Sequence, residues 1–152
     1  MEIMVRTATE NDIEKLLEFE QGIVAAERPF DSTLKEGEIH YYDLLELTKS
    51  PGSEVVLAIA DGEPVGSGYG KIKTADAFLK HSQYVHIGCM YIKPAYRGKG
   101  ISKMILDALV AWAKQKGITE IRLQVYNENM PAKNAYLKAG FKPNLLEMRM
   151  EV

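Results

Sequence analysis

The sequence has little of what a disulfide-stabilised, zinc-binding or membrane-spanning protein needs. Cys89 is the only cysteine in the 152 residues. The chain can therefore form neither an internal disulfide nor a cysteine-rich zinc site, which fits a reducing cytoplasm. No uninterrupted apolar run approaches the ~18 to 20 residues that a membrane span requires, and the first residues lack the apolar core of a secretory signal. We expect a cytoplasmic protein without a membrane segment.

Neither sign of charge predominates. Lys and Arg number 19 against 21 Asp and Glu, which gives a formal net charge of -2. The sequence thus lacks the basic surface that a nucleic-acid binder uses. The three histidines, His40, His81 and His86, have no spacing typical of a metal cluster, so we expect no bound metal. Any anionic ligand must be held by a local site.

The composition is that of one globular domain over residues 1–152, with 46% hydrophobic and 26% charged residues. The early helix should begin at a capping box formed by Thr9 and Asp12, and the Asp61-Gly62 dipeptide favours a tight hairpin turn. In chain order, hydrophobic periodicity and turn residues predict a strand over 2–6, a helix from 9 that stops at Gly22, a helix over 41–48, strands over 55–60, 65–73 and 84–92, a helix from 101 terminated by Gly117, a strand over 120–126, a helix over 130–139 and an extended segment over 141–152.

This order of elements predicts the fold class. Strands that alternate with helices in the second half of the chain require helices on both faces of the sheet. A helix layer on only one face would leave the other apolar face exposed to water. We expect an α/β (α+β) fold, a three-layer α-β-α sandwich with a mixed, mostly antiparallel central sheet.

The most informative stretch runs over residues 92–102, from a strand through a glycine-containing turn into a helix. The first N–H groups of a helix lack internal partners and can together hold a phosphate. The spacing around Gly98 and Gly100 is not that of a P-loop, and Lys103 stands where a dinucleotide-binding loop needs glycine. ATP and NAD are therefore not implied. Glycine content alone also fits a helix-opening turn that binds nothing.

Two segments in this part of the chain resemble the GCN5-related N-acetyltransferase (GNAT) superfamily. Its acetyl-CoA loop, Arg/Gln-x-x-Gly-x-Gly/Ala, matches Arg97 to Ser102 at every position but the last. A downstream signature of that family matches Asn129, Ala132, Tyr136, Gly140 and Phe141. The resemblance covers about residues 84–142 and implies an acyl-CoA N-acyltransferase-like fold with acetyl-CoA as cosubstrate and no metal.

The resemblance also implies how acetyl-CoA is bound. The strand before the glycine loop separates from the next strand, so that its free N–H and C=O groups bond the pantetheine arm. The diphosphate then lies on the loop N–H groups, where Arg97 and Lys99 add charge-assisted contacts. The cofactor-binding residues implied in this way are Met90, Tyr91, Ile92, Arg97, Gly98, Lys99, Gly100, Ile101, Ser102, Asn129, Ala132 and Tyr136.

The same resemblance implies catalytic roles for Tyr136 and Met90. Tyr136 is the expected proton donor to the departing thiolate, although a tyrosine at this helical spacing is otherwise more typical of a core. A backbone N–H near Met90 is the expected donor to the oxyanion.

The resemblance does not supply the base that takes the proton of the amine, because no carboxylate lies in the strand over 84–92. His86 is the best substitute, since period-2 alternation places it on one strand face with Gly88 and Met90. A non-catalytic His86, or direct loss of the proton to water, fits as well. Alternation places Cys89 on the opposite face, as a small core residue.

The acceptor is expected to contact the early region, where Glu27, Arg28, Asp31, Tyr41 and Tyr42 are candidate specificity residues with surface or packing roles equally open. The implied function is acetyl transfer to the primary amine of a small molecule or to an amino terminus. A CoA-binding sensor or scaffold and a protein lysine acetyltransferase are the alternatives. Pairing through the exposed final strand would give a homodimer.

Overall fold

A computed structural model describes all residues, 1–152. The strands are β1 (Ile3–Thr7), β2 (Ser53–Ala60), β3 (Glu63–Thr74), β4 (Gln83–Ile92) and β5 (Ile121–Arg122). The α-helices are α1 (Ile13–Glu27), α2 (Leu44–Lys49), α3 (Ile101–Gln115) and α4 (Met130–Lys138). Single 3-10 turns precede α1, follow α1 and follow β4 at Glu10–Asp12, Arg28–Phe30 and Pro94–Tyr96.

The five strands form one sheet in the order β1-β2-β3-β4-β5. The first three pairings are antiparallel, and only β5 runs parallel to its neighbour β4. The sheet is therefore mixed and mostly antiparallel, with helices on both faces. The fold class predicted from the sequence is confirmed.

Alternate residues of β2 contribute to two separate hydrophobic cores, one on each face of the sheet. Val55, Leu57 and Ile59 pack against α1 and α2 in what we call the α1-side core. Val56 and Ala58 pack against α3 in the α3-side core. Burial on both faces explains why β2 reads as an almost continuous apolar run.

Several local predictions are confirmed. Thr9 and Asp12 form the predicted capping box ahead of α1. The hairpin between β2 and β3 turns at Asp61 and Gly62, both with positive φ, and Gly117 follows α3 in a left-handed conformation with φ 74°. Each of these signals depends on residues adjacent in sequence, so tertiary contacts do not override it.

The prediction that α1 stops at Gly22 is wrong, because the helix continues to Glu27. A Cβ built at Gly22 would lie 2.6 Å from Cε1 of Tyr91 on β4. Tyr91 in turn packs on Phe19 of α1, with ring centroids 5.3 Å apart. Gly22 therefore allows the helix to approach the sheet closely and does not terminate it.

Three other boundaries differ from the sequence prediction. The second helix is only six residues long because the Asp43 carboxylate accepts the Glu46 N–H and caps it there, which leaves residues 41 and 42 outside. The strand expected over 120–126 pairs with β4 only at Ile121 and Arg122. The segment over 142–152 has no regular secondary structure and joins no sheet.

No helix combines the length and apolar character needed to cross a bilayer. No group of three or more His, Cys, Asp or Glu side chains is placed to hold a metal ion.

The close approach at Gly22 predicts an unusual response to substitution. Alanine in place of a helical glycine ordinarily stabilises a helix by about 1 kcal/mol. We expect Gly22→Ala to lower the free energy of unfolding by about 1–3 kcal/mol instead, because the new methyl group displaces the Tyr91 ring. Urea denaturation of the variant measures this change.

The same substitution made in a Tyr91→Ala background is the matched control. There the obstructing ring is absent, so Gly22→Ala should stabilise the chain by the ordinary amount of about 1 kcal/mol. Stabilisation by Gly22→Ala in the wild-type background would contradict the packing described above.

Candidate active site

Strand β4 contains a β-bulge near its carboxyl end. Gly88 pairs with Tyr69 of β3 and Tyr91 pairs with Ser67, so both Cys89 and Met90 lie opposite the single residue between those partners. Cys89 has φ 51°, which is uncommon for a residue other than glycine. The hydroxyl of buried Ser67 donates to the Cys89 carbonyl at 2.8 Å and holds this conformation. The backbone of Met90 is left without a strand partner.

The bulge also reverses the alternation of side chains along β4. His86 lies beside Tyr69, with ring centroids 6.2 Å apart, and Cys89 is buried in the α1-side core. Met90 packs instead against the α3-side core. The prediction that His86 and Met90 share a face is therefore wrong, as is the prediction that His86 and Cys89 lie on opposite faces. Strict period-2 counting cannot detect the extra residue that a bulge inserts.

A gap separates β4 from the chain that follows β5. The two strands pair only at Val85–Ile121 and His86–Arg122. From Ile87 to Ile92, β4 is paired with β3 along one edge and has no strand along the other. The separation expected between these strands is present, and it leaves one side of β4 without a strand partner from Ile87 to Ile92.

The glycine loop lies at the end of this gap. Gly98 and Gly100 have φ values of 75° and 79°, and a Cβ added at either would meet no atom within 4 Å. Gly100 is the N-cap of α3 and offers no side chain to cap it. Ile101 is buried and fixes the helix start against the α3-side core. The first N–H groups of a 15-residue helix therefore face open space beside bare backbone.

Two cations border the loop without acidic partners. Arg97 Nε donates to the Ile92 carbonyl at 2.9 Å, and its guanidinium lies 5.7 Å from the Tyr91 ring centroid. Neither Arg97 nor Lys99 forms an ion pair, whereas Lys103 is paired with Asp107 at 2.8 Å. Free positive charge beside unpartnered N–H groups suits a phosphate ester. These features fit the diphosphate of a coenzyme A thioester.

Tyr136 lies on α4, which begins where the downstream sequence signature begins. The Asn129 side chain caps this helix by accepting the Ala132 N–H at 3.3 Å. Tyr136 packs edge-on against Phe141, with ring centroids 5.9 Å apart. Burial, and secondly the negative charge of Glu27, raise the pKa of Tyr136 to about 12. The phenol is therefore protonated at neutral pH and can act as a proton donor.

Glu27, the last residue of α1, is an acidic group whose charge raises the pKa of both Tyr41 and Tyr136. Burial raises the pKa of its carboxyl, and the charge of Asp31 raises it further. The buried Tyr41 hydroxyl approaches Glu27 and lowers the pKa of that carboxyl in part, although it forms no hydrogen bond of good geometry with any group. Burial raises the pKa of Tyr41, and the Glu27 charge adds to the shift. The charge of Glu27 thus acts on both the unpartnered Tyr41 hydroxyl and the Tyr136 phenol.

The other early residues have structural partners. Arg28 donates to the carbonyls of Lys35 and Gly37 and braces the loop after α1. Asp31 accepts hydrogen bonds from Thr33, Tyr126 and Arg149, which hold the pKa of its carboxyl well below the usual range. These contacts shape the region around Glu27 and occupy both side chains.

A buried carboxylate that sequence reasoning missed fixes one wall of this region. Glu20 is fully buried and accepts the backbone N–H groups of Tyr41 and Tyr42 at 2.8 and 3.0 Å, and its other oxygen lies 2.7 Å from His40 Nδ1. The only sequence signal was an acidic residue on the apolar face of α1, one residue from Phe19. This network holds the two tyrosines in place.

His86 lies in a different environment from Tyr136. Its imidazole is half-buried beside Tyr69, and the pKa is lowered by desolvation first and then by the charges of Lys73 and Lys71. Tyr42 packs edge-on against Tyr69 at 5.3 Å and separates the His86 side from Tyr41. Burial raises the pKa of Cys89 to about 12, so it remains an unreactive thiol in the core.

Comparison with known proteins identifies the family to which this chain belongs. Residues 16–141 match the family model described as "Acetyltransferase (GNAT) family". The thialysine N-epsilon-acetyltransferase of Bos taurus is 28% identical, over 91% of this chain and 83% of its own length.

Solved structures resemble the whole chain at lower identity. A tetramutant of the BH1408 protein from Bacillus halodurans superposes with a TM-score of 0.87 at 17% identity, over 98% of this chain and 99% of that one. AAC(6')-Iy, solved in complex with a bisubstrate analogue, CoA-S-monomethyl-acetylneamine, has a TM-score of 0.71 at 18% identity and covers 100% of both chains. The family model, which spans most of the sequence, identifies the chain as a member of the GNAT family of acetyltransferases.

Proposed function

We propose that this protein transfers the acetyl group of acetyl-CoA to a primary amine of a small molecule. The observation that carries the proposal is the open edge of β4 from Ile87 to Ile92, which leads directly into the bare backbone of the glycine loop. An extended pantetheine arm can pair with such an edge as an added strand would. The diphosphate then meets the N–H groups of residues 98–102 together with Arg97 and Lys99.

A pantetheine arm bound along Met90, Tyr91 and Ile92 would bring the thioester carbonyl to the bulge. The Met90 N–H is the proposed oxyanion donor, because neither β3 nor β5 pairs with this residue. The amine nitrogen forms a bond to the carbonyl carbon, and the carbon–sulfur bond breaks. The departing thiolate takes the proton of Tyr136, whose phenol is protonated at neutral pH. The new amide nitrogen loses its second proton, and a proton passed through solvent restores the Tyr136 phenol.

We propose that Glu27 binds the amine of the acceptor. An amine is cationic at neutral pH and must lose a proton before it attacks. A half-buried carboxylate near Tyr41, whose charge also acts on Tyr136, can bind the ammonium group and accept that proton. His86 remains the alternative base and direct loss to water a third route. The His86 imidazole responds to Lys71 and Lys73 rather than to the groups around Tyr136.

The names of relatives support a small acceptor. One acts on thialysine, and another was solved with an analogue that joins CoA to acetylneamine. Both names refer to small molecules that carry amines. A protein lysine acceptor and a CoA-binding scaffold without catalysis remain the competing proposals, since neither conflicts with the glycine loop.

Acetyl-CoA binding and amine turnover, measured together, test the proposed reaction. Acetyl-CoA should raise the Tm of the protein, because a ligand selective for the native state stabilises it, whereas NAD and ATP should not. Incubation of acetyl-CoA with a panel of small amines should then release free thiol. A raised Tm without thiol release from any amine or lysine peptide would favour the scaffold, and an unchanged Tm would contradict the proposed cofactor.

Tyr136→Phe tests the proton donor. The substitution removes one hydroxyl and leaves the packing against Phe141 in place, so folding should be unaffected. We expect kcat to fall about 10²-fold or more while the Kd for acetyl-CoA changes little. Steady-state kinetics and calorimetric titration measure the two quantities. An unchanged kcat would remove Tyr136 from the mechanism.

A pair of variants separates the two candidate bases. Glu27→Gln should lower kcat/KM for the amine about 10²-fold, because it removes both the charge that binds the ammonium group and the proton acceptor. His86→Gln should leave kcat/KM within about threefold of wild type. In the wild type, kcat/KM should fall as the pH drops through the raised pKa of Glu27. A greater loss in His86→Gln than in Glu27→Gln would identify the imidazole as the base.

A further inference from the structure

Three neighbouring strands bring cationic side chains together on one face of the sheet. Lys71 of β3 lies opposite His86 of β4, and Lys73 lies opposite Tyr84. Arg122 of β5 pairs with His86 from the other side, and its guanidinium lies 4.1 Å from the Tyr84 ring centroid. Residues that oppose one another in a sheet point to the same face. Lys71, Lys73 and Arg122 therefore form one group, which we call the cationic cluster.

The cationic cluster lies on the face of the sheet against which α1 and α2 pack. Lys71 and Lys73 follow Tyr69 along β3 at alternate positions, and Tyr69 is buried in the α1-side core. His86 adds little charge to the cluster, because desolvation and then the charges of Lys73 and Lys71 lower the pKa of its imidazole. The positive charge on this face comes from the two lysines and the arginine.

A cavity of about 200 Å³ joins the cationic cluster to the region proposed for the acceptor. Its lining includes Lys71, Lys73, Tyr41 and Tyr42. Tyr41 is the residue whose buried hydroxyl forms no hydrogen bond of good geometry and approaches Glu27. A small molecule in this cavity can therefore contact the lysines while its other end extends towards Glu27.

The cations of the cluster have no acidic partner. None of Lys71, Lys73 and Arg122 forms an ion pair. Two carboxylates line the same cavity, but Asp43 accepts the Glu46 N–H at 3.2 Å to cap α2, and Glu46 is exposed. Unpaired like charges side by side destabilise a sheet. The arrangement therefore suits an anion supplied from outside the chain.

We propose that the cationic cluster binds an acidic group of the acceptor, so that the substrate is an amine that also carries a carboxylate or a phosphate. The inference rests on the proposed function, because Glu27 must bind the amine while Lys71 and Lys73 bind the anion. Carboxylates and phosphates present the same anionic oxygens to a lysine ammonium group. An amine without an acidic group leaves the charges of the cluster unpaired.

The spacing along β4 indicates the length of such an acceptor. His86 lies beside the cluster, and Met90, where the thioester carbonyl is proposed to lie, is four residues further along the same strand. At about 3.3 Å per residue this distance is roughly 13 Å, and the lysine side chains span part of it. The amine and the acidic group should therefore be separated by a chain of several carbons, as in an ω-amino carboxylate.

Matched pairs of acceptors test the acidic group. Thiol release from acetyl-CoA is measured with ω-amino carboxylates of increasing length, each beside its carboxamide, which has nearly the same shape and no charge. We expect kcat/KM for the preferred acid to exceed that for its carboxamide about tenfold or more. Aminoalkyl phosphates, each beside the corresponding amino alcohol, form the second arm. The arm with the larger ratio identifies which acidic group the cluster binds.

Two lysine variants test the cluster itself. Lys71→Gln and Lys73→Gln should each raise the KM for the preferred acid about fivefold to tenfold with little change in kcat, because each removes one charge that binds the acid. The ratio of kcat/KM between the acid and its neutral counterpart should fall accordingly. Lys114→Gln is the matched control, since Lys114 is also exposed and unpaired but lies on α3, at the other face of the sheet. It should leave that ratio unchanged.

The outcomes separate this inference from the proposed function. Acids and neutral counterparts acetylated equally well, or a preference for acids that survives both lysine variants, would overturn the acidic-group inference and leave the acetyl transfer intact. Thiol release from no amine at all would instead refute the proposed function. Calorimetric titration of the CoA-saturated protein then decides the inference: an ω-amino carboxylate bound about tenfold more tightly than its carboxamide supports it, and equal or absent binding overturns it.

Discussion

The separation of β4 from β5 after His86 is the constraint on which the rest of the site depends. If β4 and β5 stayed paired as far as Ile92, the N–H and C=O groups proposed to bind the thioester would already form hydrogen bonds within the sheet. The bulge adds to this separation, because the left-handed Cys89 leaves Met90 unpaired on both sides. The Ser67 hydrogen bond and the burial of Cys89 offset the cost of that backbone conformation.

The α1 helix supplies the opposite side of the site, and its position depends on two residues in its interior. Gly22 allows the helix to lie close enough for Tyr91 to pack on it. Glu20, fully buried, holds residues 40–42 through two backbone N–H groups and His40. The last turn of the helix then places Glu27 where its charge raises the pKa of Tyr136. Close packing of one helix thus sets the geometry of the proposed acceptor region.

Local signals predicted the fold well, and long-range contacts explain where they failed. The hairpin at Asp61-Gly62, the capping box at Thr9 and the helix after the glycine loop each follow from neighbouring residues. The glycine loop follows from the match of Arg97 to Ser102 to the acetyl-CoA motif of the GNAT superfamily. Gly22 was misread as a stop because its partner, Tyr91, lies on another element. The Cys89 bulge inverted the predicted faces of His86 and Met90, since no pattern along a strand reveals an inserted residue. The roles of Glu20 and Glu27 needed the tertiary structure.

A crystal of the protein soaked with acetyl-CoA or a stable thioester analogue would show whether the open edge of β4 binds the cofactor. We expect a pantetheine arm hydrogen-bonded along that edge, with the diphosphate on the N–H groups of residues 98–102 and the thioester carbonyl at the Met90 N–H. A gap that closes by pairing of β4 with residues 123–126, or a ligand bound elsewhere while the glycine loop stays empty, would contradict it.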